Sequence, residues 1–374
     1  MKGVFFLLLL FSTIANAQRF AVISDIHGAS SDTYDVSVLV KSWNPEFIIT
    51  AGDNHYGLSG TIDEQVGQFY SDFIFPYTGT FGSGSTVNKF FPCLGNHDIE
   101  GNGLINYLNY FELPGNERYY DFVVGNVHFF SVNSNDSDSD GVSDTSIQAT
   151  WLRDQLAASI SPYNVVYFHH PPYSSGMHGS SAYMRWPFRQ WGASIVLSGH
   201  DHDYERFYVD SFPYIVCGVG GGTLYTVNSG LSGSIYFNCD NHGALLVNAN
   251  TDSMNFEFRN TSDSLIDRLT IYNGQSTTNG NSGFIDSEVQ LFQNNPNPAA
   301  SATIIKFFLP RKGTVVLSIS NISGEDISVI SGEILNAGFH EVNWDTSNMA
   351  EGIYFISLKF ENIVITRKAA VFDQ

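Results

Sequence analysis

The chain runs to 374 residues, of which 43% are hydrophobic, 14% aromatic and 14% charged. That is enough apolar side chain for a substantial core and excludes a disordered polymer, with room for about two domains. Seventeen Lys and Arg against 37 Asp and Glu leave a net charge of -20 with no basic run, which excludes a nucleic-acid-binding surface and argues against an anionic membrane as partner.

Lys2, the apolar run from Val4 to Ile14 and the small-x-small exit Ala15-Asn16-Ala17 read as a secretory signal peptide over residues 1–17. No later stretch is long enough to span a bilayer, so an exported, soluble chain is expected. Residues 18–272 alternate strand and helix patterns. Phe20–Ile23, Phe47–Thr50, Val127–Phe130, Asn164–Phe168 and Ala193–Leu197 are near-continuous apolar runs, the signature of strands buried on both faces. Ser146–Ala158 reads as a helix, with Ile147, Trp151, Leu152 and Leu156 at helical spacing. From Tyr214 to Tyr272 the pattern is more purely β. Residues 273–290 are rich in Gly, Asn, Ser and Thr and read as a flexible linker. Residues 291–374 carry short strands with Gly or Asn turns, the pattern of a small β-sandwich. Cys217 and Cys239, in neighbouring β-like segments, are candidates to pair in an oxidising compartment, whereas Cys93 reads as a buried thiol.

Five short motifs fall where the buried strands end: Asp25-Ile26-His27-Gly28, Gly52-Asp53-Asn54-His55-Tyr56, Gly95-Asn96-His97-Asp98, His169-His170-Pro171-Pro172 and Gly199-His200-Asp201-His202. Ligand sites of open α/β sheets collect at the carboxyl ends of strands. Asp, Asn and His are the hard-to-borderline ligands suited to iron, manganese and zinc. A single Asp-x-His is common by chance; five such loops in order are not. A local positive centre of this kind is also what a chain of charge -20 needs to hold an anion.

This ordered set resembles the calcineurin-like metallophosphoesterase superfamily over residues 19 to 272. Tyr56, three residues after Asp53, and Tyr204-Glu205-Arg206 after the last motif resemble the purple acid phosphatases. The resemblance implies a four-layer α/β/β/α sandwich with a two-metal site at the strand ends. It implies that Asp53 bridges both ions, that Asp25 and His202 hold the first, and that Asn96, His169 and His200 hold the second. His170 is then a neighbour of the ligand His169. For the remaining ligand of the first ion the chain offers both His27 and Tyr56, with Tyr56 slightly preferred. A phenolate suits Fe(III), and an imidazole suits Fe(II), Mn or Zn, so iron paired with zinc, manganese or a second iron is expected. The implied reaction is attack of metal-activated hydroxide on a phosphomonoester, with His97 as first and His178 as second proton-donor candidate. His55 and Asp98 are expected beside the site, and Arg206 either touches substrate or pairs with an acid.

The run Asp136-Ser-Asp138-Ser-Asp140-Gly141 has the alternate carboxylates of a calcium loop, although the bidentate Glu is missing, with Ile147 in its place. A solvated acidic loop is the preferred reading, with a calcium site as the alternative. The tail, with Asn295-Pro296-Asn297-Pro298, Val342-Asn343-Trp344-Asp345, Gly352-Ile353-Tyr354-Phe355 and Lys368, resembles a type IX secretion sorting domain (type A). That implies recognition by the type IX machinery and a secreted or surface location in a Bacteroidetes-type bacterium. The alternatives are a phosphodiesterase or nucleotidase using the same two metals, and a surface adhesin that keeps them as structural ions.

Overall fold

A computed structural model describes residues 17–273 and 289–372, apart from 57–59, 211, 228, 310–311, 336–337 and 362. The expected leader and nearly all of the expected linker lie outside the described residues. Two compact units divide the chain, the second beginning at Gly283.

The strands of the first unit are β1 (Gln18–Ile23), β2 (Phe47–Thr50), β3 (Phe90–Pro92), β4 (Tyr120–Val124), β5 (Val127–Ser131), β6 (Tyr163–Tyr167), β7 (Ile195–Ser198), β8 (Tyr204–Val209), β9 (Phe212–Cys217), β10 (Ser234–Asn238), β11 (Gly243–Ala249), β12 (Ser253–Asn260) and β13 (Leu265–Tyr272). They form one sheet in the order β13-β12-β11-β1-β2-β3 and a second in the order β10-β8-β9-β7-β6-β5-β4. Within the first, β1, β2 and β3 run parallel; within the second, β5, β6, β7 and β9 do. Parallel neighbours end on a common edge. The loops after β1, β2 and β3, and those after β6 and β7, are the five motif loops.

The apolar runs are buried because both faces of each strand are covered. Ala21, Ile23 and Ile48 pack with Val36, Leu39 and Val40 of the helix Ser31–Ser42. Phe20 and Phe47 point the other way and meet Phe129 of the second sheet at 5.1 and 5.3 Å between ring centroids. Phe122 stacks on Phe91 at 3.9 Å and on Phe129 at 4.9 Å, which extends this aromatic seam. The second sheet packs Phe130, Val166 and Val196 against Ala149, Leu152 and Leu156 of the helix Ile147–Ala158. Ser30 and Ser146 cap the two helices, their hydroxyls accepting from the amides of Thr33 and Ala149. Ile147 departs from the expected apolar face and is 64% exposed. Gln148 turns inward instead, its side chain bonding the backbone of Asn133 and Gly141.

The second unit contains β14 (Gln290–Leu291), β15 (Ala302–Leu309), β16 (Gly313–Asn321), β17 (Asp326–Leu335), β18 (Gly338–Asp345), β19 (Gly352–Phe360) and β20 (Ile363–Val371). They pair antiparallel in two sheets, β14-β15-β18 and β17-β16-β19-β20. Phe307, Leu317, Trp344 and Ile356 share one apolar core. Among the described residues no helix is long and apolar enough to cross a membrane. All three cysteines are free thiols, so the candidate Cys217–Cys239 pair is not formed.

Phe129 is fully buried at the meeting of the two sheets. Phe129→Ala should destabilise the first unit by about 3–5 kcal/mol through lost burial and the cavity left behind. Phe81→Ala, at a half-exposed ring, should change it by less than about 1 kcal/mol. Denaturant unfolding followed by tryptophan fluorescence compares the two.

Candidate metal centre

Three of the motif residues leave their strands in the left-handed region: Asp25 (φ 58°), Asp53 (φ 49°) and His200 (φ 73°). Each turn aims a side chain past the strand end. The loops are locked to each other by Asp25 N–H to Gly52 O (3.1 Å), Ile26 N–H to Asp53 O (2.9 Å) and Gly199 N–H to His169 O (3.0 Å). His200 N–H donates to Asp25 Oδ2 at 3.0 Å and so links loops from the two sheets. Glycine is required where backbone passes against these side chains. A Cβ on Gly52 would lie 2.7 Å from His169 Nδ1, and one on Gly199 would lie 1.9 Å from Ser24 Oγ.

Asp53 Oδ2 lies 3.3 Å from His169 Nε2, and His202 Nε2 lies 3.5 Å from Asp25 Oδ1. His169 Nε2 is also 3.1 Å from Asn96 Oδ1 and 3.2 Å from His200 Nδ1. The far nitrogens are oriented by backbone carbonyls, His169 Nδ1 by Ala51 O (2.9 Å) and His202 Nδ1 by Thr223 O (2.8 Å). Carbonyl-oriented imidazoles of this kind are a recurring support of metal ligands. Asp25, Asp53, His169 and His202 are buried, whereas Asn96 and His200 are half-buried.

His27 and Tyr56 stand on one flank. Their rings stack at 4.5 Å, and the far face of Tyr56 lies 4.2 Å from His97. His27 is exposed; Tyr56 is half-buried. His97 donates its amide to Asp53 Oδ1 (2.9 Å) and places its Nδ1 2.8 Å from Glu100. On the other flank His178 stacks on His200 at 4.4 Å.

The electrostatics follow from burial and mutual proximity. Burial opposes the charge of Asp25, but the facing His202 imidazole and the neighbouring His169 hold its carboxyl well below the usual range. Burial likewise opposes protonation of His169, yet the Asp53 charge lifts it to about 9. His200 is pushed down to about 3 by burial and by His169, and His170 to about 2 by burial, His169 and His200. Burial, then Asp25 and Asp53, push the Tyr56 phenol up, so only a cation at the site would ionise it.

Residues 18–204 match the calcineurin-like phosphoesterase family. The chain belongs to that family. Residues 295–371 match the secretion system C-terminal sorting domain family. The structure of GAP50, the anchor in the inner membrane complex of Plasmodium, is similar at 19% identity and TM-score 0.56, covering 70% of this chain and 91% of that one. At that identity the likeness speaks to fold alone. Yfce, a phosphoesterase from E. coli, aligns at 11% identity and TM-score 0.35, covering 67% of this chain and 98% of that one. Among curated proteins none matches this chain.

A calcineurin-like phosphoesterase uses divalent metal ions, and the residues here fit them. Ligand atoms of Asp25, Asp53 and His169, and again of His169, His170 and His200, lie within 4.8 Å of one another. Asp25 Oδ1 is buried with no hydrogen-bond partner among the described residues, the state expected of a carboxylate oxygen reserved for a cation.

His170, expected only as a neighbour, brings a third ring nitrogen into this cluster, although its Nδ1 is 2.9 Å from Ser134 Oγ. His55 is buried beside Asp98, which accepts from the amides of Asn54, His55 and Gly95 and lies 3.2 Å from His55 Nδ1. Arg206 pairs with Asp267 at 2.7 and 3.0 Å. In the acidic loop two of the carboxylates are engaged by the protein itself. The Arg118 guanidinium bonds Asp138 and reaches Asp140 at 2.6 Å, while Asp136 is exposed. Sequence reasoning missed Tyr225, whose ring lies flat on His202 at 4.3 Å; no motif surrounds it.

Asp203 is fully buried, and neither of its side-chain oxygens has a partner among the described residues. Burial, then Glu205 and Asp201, raise its carboxyl to about 8. The unfolded chain binds fewer protons than the native one between pH about 4 and about 8, so this group costs stability as pH rises through that window, by up to about 1.4 kcal/mol per unit. Asp203→Asn should therefore stabilise chelator-treated protein at pH 8 and lose that advantage below pH about 4. Thermal unfolding across this range measures it.

Proposed function

We propose that the chain is an exported, acid-phosphatase-like phosphomonoesterase whose first unit, residues 18–272, holds two metal ions. Asp53 would bridge them. Asp25, His202 and Tyr56 would complete the first site, and Asn96, His169 and His200 the second. Tyr56 is preferred to His27 because it is the more buried of the two and is held between the His27 and His97 rings. The observation that carries the reading is the buried, partnerless Asp25 Oδ1 facing His202 beside a second carboxylate–imidazole pair. When bound, such ions supply Lewis acidity that activates water and offsets the phosphoryl charge.

The chain's own residues do the rest. Asp53, His169 and His202 hold their donor atoms in place through backbone contacts, with Asn96 and His200 packed on His169 Nε2, so little reorganisation is needed. Two imidazoles stand free to handle protons. His97 Nδ1 lies 2.8 Å from Glu100 in an ion-pair geometry, and its Nε2 lies 3.9 Å from Asp53 Oδ2. His178 covers the His200 side. Either can protonate the departing oxygen or hold a phosphoryl oxygen. The signal peptide read over residues 1–17 and the sorting domain would carry the enzyme out through the type IX machinery, to release phosphate at or beyond the cell surface.

Asp53→Ala and His200→Ala should each lose bound metal, read by elemental analysis, together with at least about 10³ of turnover. Turnover retained in either would sink the two-metal assignment. With iron bound, the wild type should show a visible tyrosinate band that Tyr56→Phe removes. A colourless protein with two equivalents of dication would give the position to His27. Among His97→Ala and His178→Ala, the variant lacking the proton donor should lose about 10²–10⁴ on alkyl phosphates while sparing p-nitrophenyl phosphate, whose leaving group needs no proton. Equal losses on both esters would remove that variant's residue from the donor role.

A further inference from the structure

A cleft of about 680 Å³ opens beside the centre, walled by Met177, Leu224, Tyr225 and Leu231 and by the hydroxyls of Thr226 and Ser229. Its size falls within the usual range of small-molecule sites, about 300–1,000 Å³. Tyr225 joins it to the chemistry. One face of that ring lies on the His202 imidazole at 4.3 Å, and its hydroxyl is 3.4 Å from His178 Nε2.

The cleft is preformed. Asp201, fully buried, accepts from Ser174 Oγ, from His178 N–H (2.7 Å) and from Gly179 N–H (3.1 Å). Glu205, also fully buried, accepts from Ser175 N–H and Oγ, both at 2.7 Å. Ser175 Oγ in turn accepts from Leu231 N–H at 2.8 Å, which ties the two walls together. These carboxylates are spent on loop backbone and hydroxyls, and the residues lining the cleft carry no charge. The Arg206 guanidinium is engaged by Asp267. Met177 at 73% and Leu231 at 47% exposure leave large apolar side chains open to solvent at this place.

We propose that this cleft is a leaving-group subsite that takes the nucleoside of a nucleoside monophosphate. The proposal rests on the phosphomonoesterase reading and names its substrate class. A flat, weakly polar base suits the Tyr225 ring and the Met177 and Leu231 side chains. The sugar hydroxyls suit Thr226 and Ser229. A bare polyol would leave the apolar atoms wet. A second phosphate would meet no cation along the walls of a chain whose net charge is -20. In the reaction the bond between phosphorus and the nucleoside oxygen breaks and the oxygen of water joins phosphorus. The water's proton balance is restored by protonation of the departing oxygen, which this placement puts on the His178 flank.

The test uses the full chain with its metals. The kcat/KM for adenosine 5′-monophosphate should exceed that for glycerol 3-phosphate by at least about tenfold, the discrimination one buried apolar contact supplies. Leu231→Asp and Met177→Ala should each pull that ratio towards one at unchanged metal content. By titration calorimetry adenosine alone should bind the wild type, and Leu231→Asp should abolish the binding. Hydrolysis of both esters at similar kcat/KM, a ratio that Leu231→Asp does not move, or no adenosine binding would overturn the subsite and leave the phosphomonoesterase reading standing. Adenosine binding with hydrolysis of neither ester would overturn the phosphomonoesterase reading and keep the cleft as a nucleoside site.

Discussion

The centre depends on three residues holding a backbone conformation that L side chains resist. Asp25, Asp53 and His200 all sit at positive φ, two or three residues after strands that are buried throughout in β2 and β7 and over the last four residues of β1. Such a turn costs about 1–2 kcal/mol for a residue bearing a Cβ, and it persists only where the surroundings over-determine it. Here they do. The Asp25 and Asp53 loops exchange backbone hydrogen bonds, and the amide of His200 is spent on the Asp25 carboxylate. An extended backbone at any of the three would send its side chain away from the edge on which the parallel strands converge. The strain is thus the means by which two sheets deliver ligands to one point.

A second layer of buried acids fixes the loops without adding cations. Asp98 gathers the amides that follow Asp53 and precede Asn96, Asp201 gathers those around His178, and Glu205 those of Ser175. Each of these carboxylates answers loop donors that would otherwise be buried unpaired. The chain therefore uses its acidic excess as internal scaffolding. The same excess makes the centre repel anions in the absence of metal. Under the proposed function, binding of a phosphate ester is in this way conditional on cation loading.

The strand-end motifs were legible because continuous apolar runs mark strands covered on both faces, and four of the five runs lead within three residues to an Asp or His. Their supports were less so. Arg118 lies 20 and 22 residues from the acids it neutralises, so the acidic run read as a solvated loop when two of its carboxylates are held by a guanidinium from elsewhere in the chain. Tyr225 stands in a Gly-rich loop after β9 with no periodic pattern around it, and only the fold lays it on His202. Gln148 and Ile147 exchange the faces that apolarity alone would give them, because Gln148 satisfies backbone groups of Asn133 and Gly141 that would otherwise be buried unpaired. Spacing reports local periodicity. Partners brought together by a crossover leave no trace in it.

Charge balance narrows what the His27–Tyr56 flank can accept. Asp25 and Asp53 bring two negative charges to the centre, and an ionised Tyr56 would bring a third. The phenol resists ionisation because it is buried and faces both carboxylates. A trication beside it offsets that cost in a way a dication does not. A trication and a dication with the phenolate leave the same net charge as two dications with a neutral His27. A phosphate dianion would therefore meet the same formal field in either arrangement. Substrate attraction does not select between them; the selection falls to the preference of each ligand for a harder or softer ion, with the buried oxygen of Tyr56 suited to the harder.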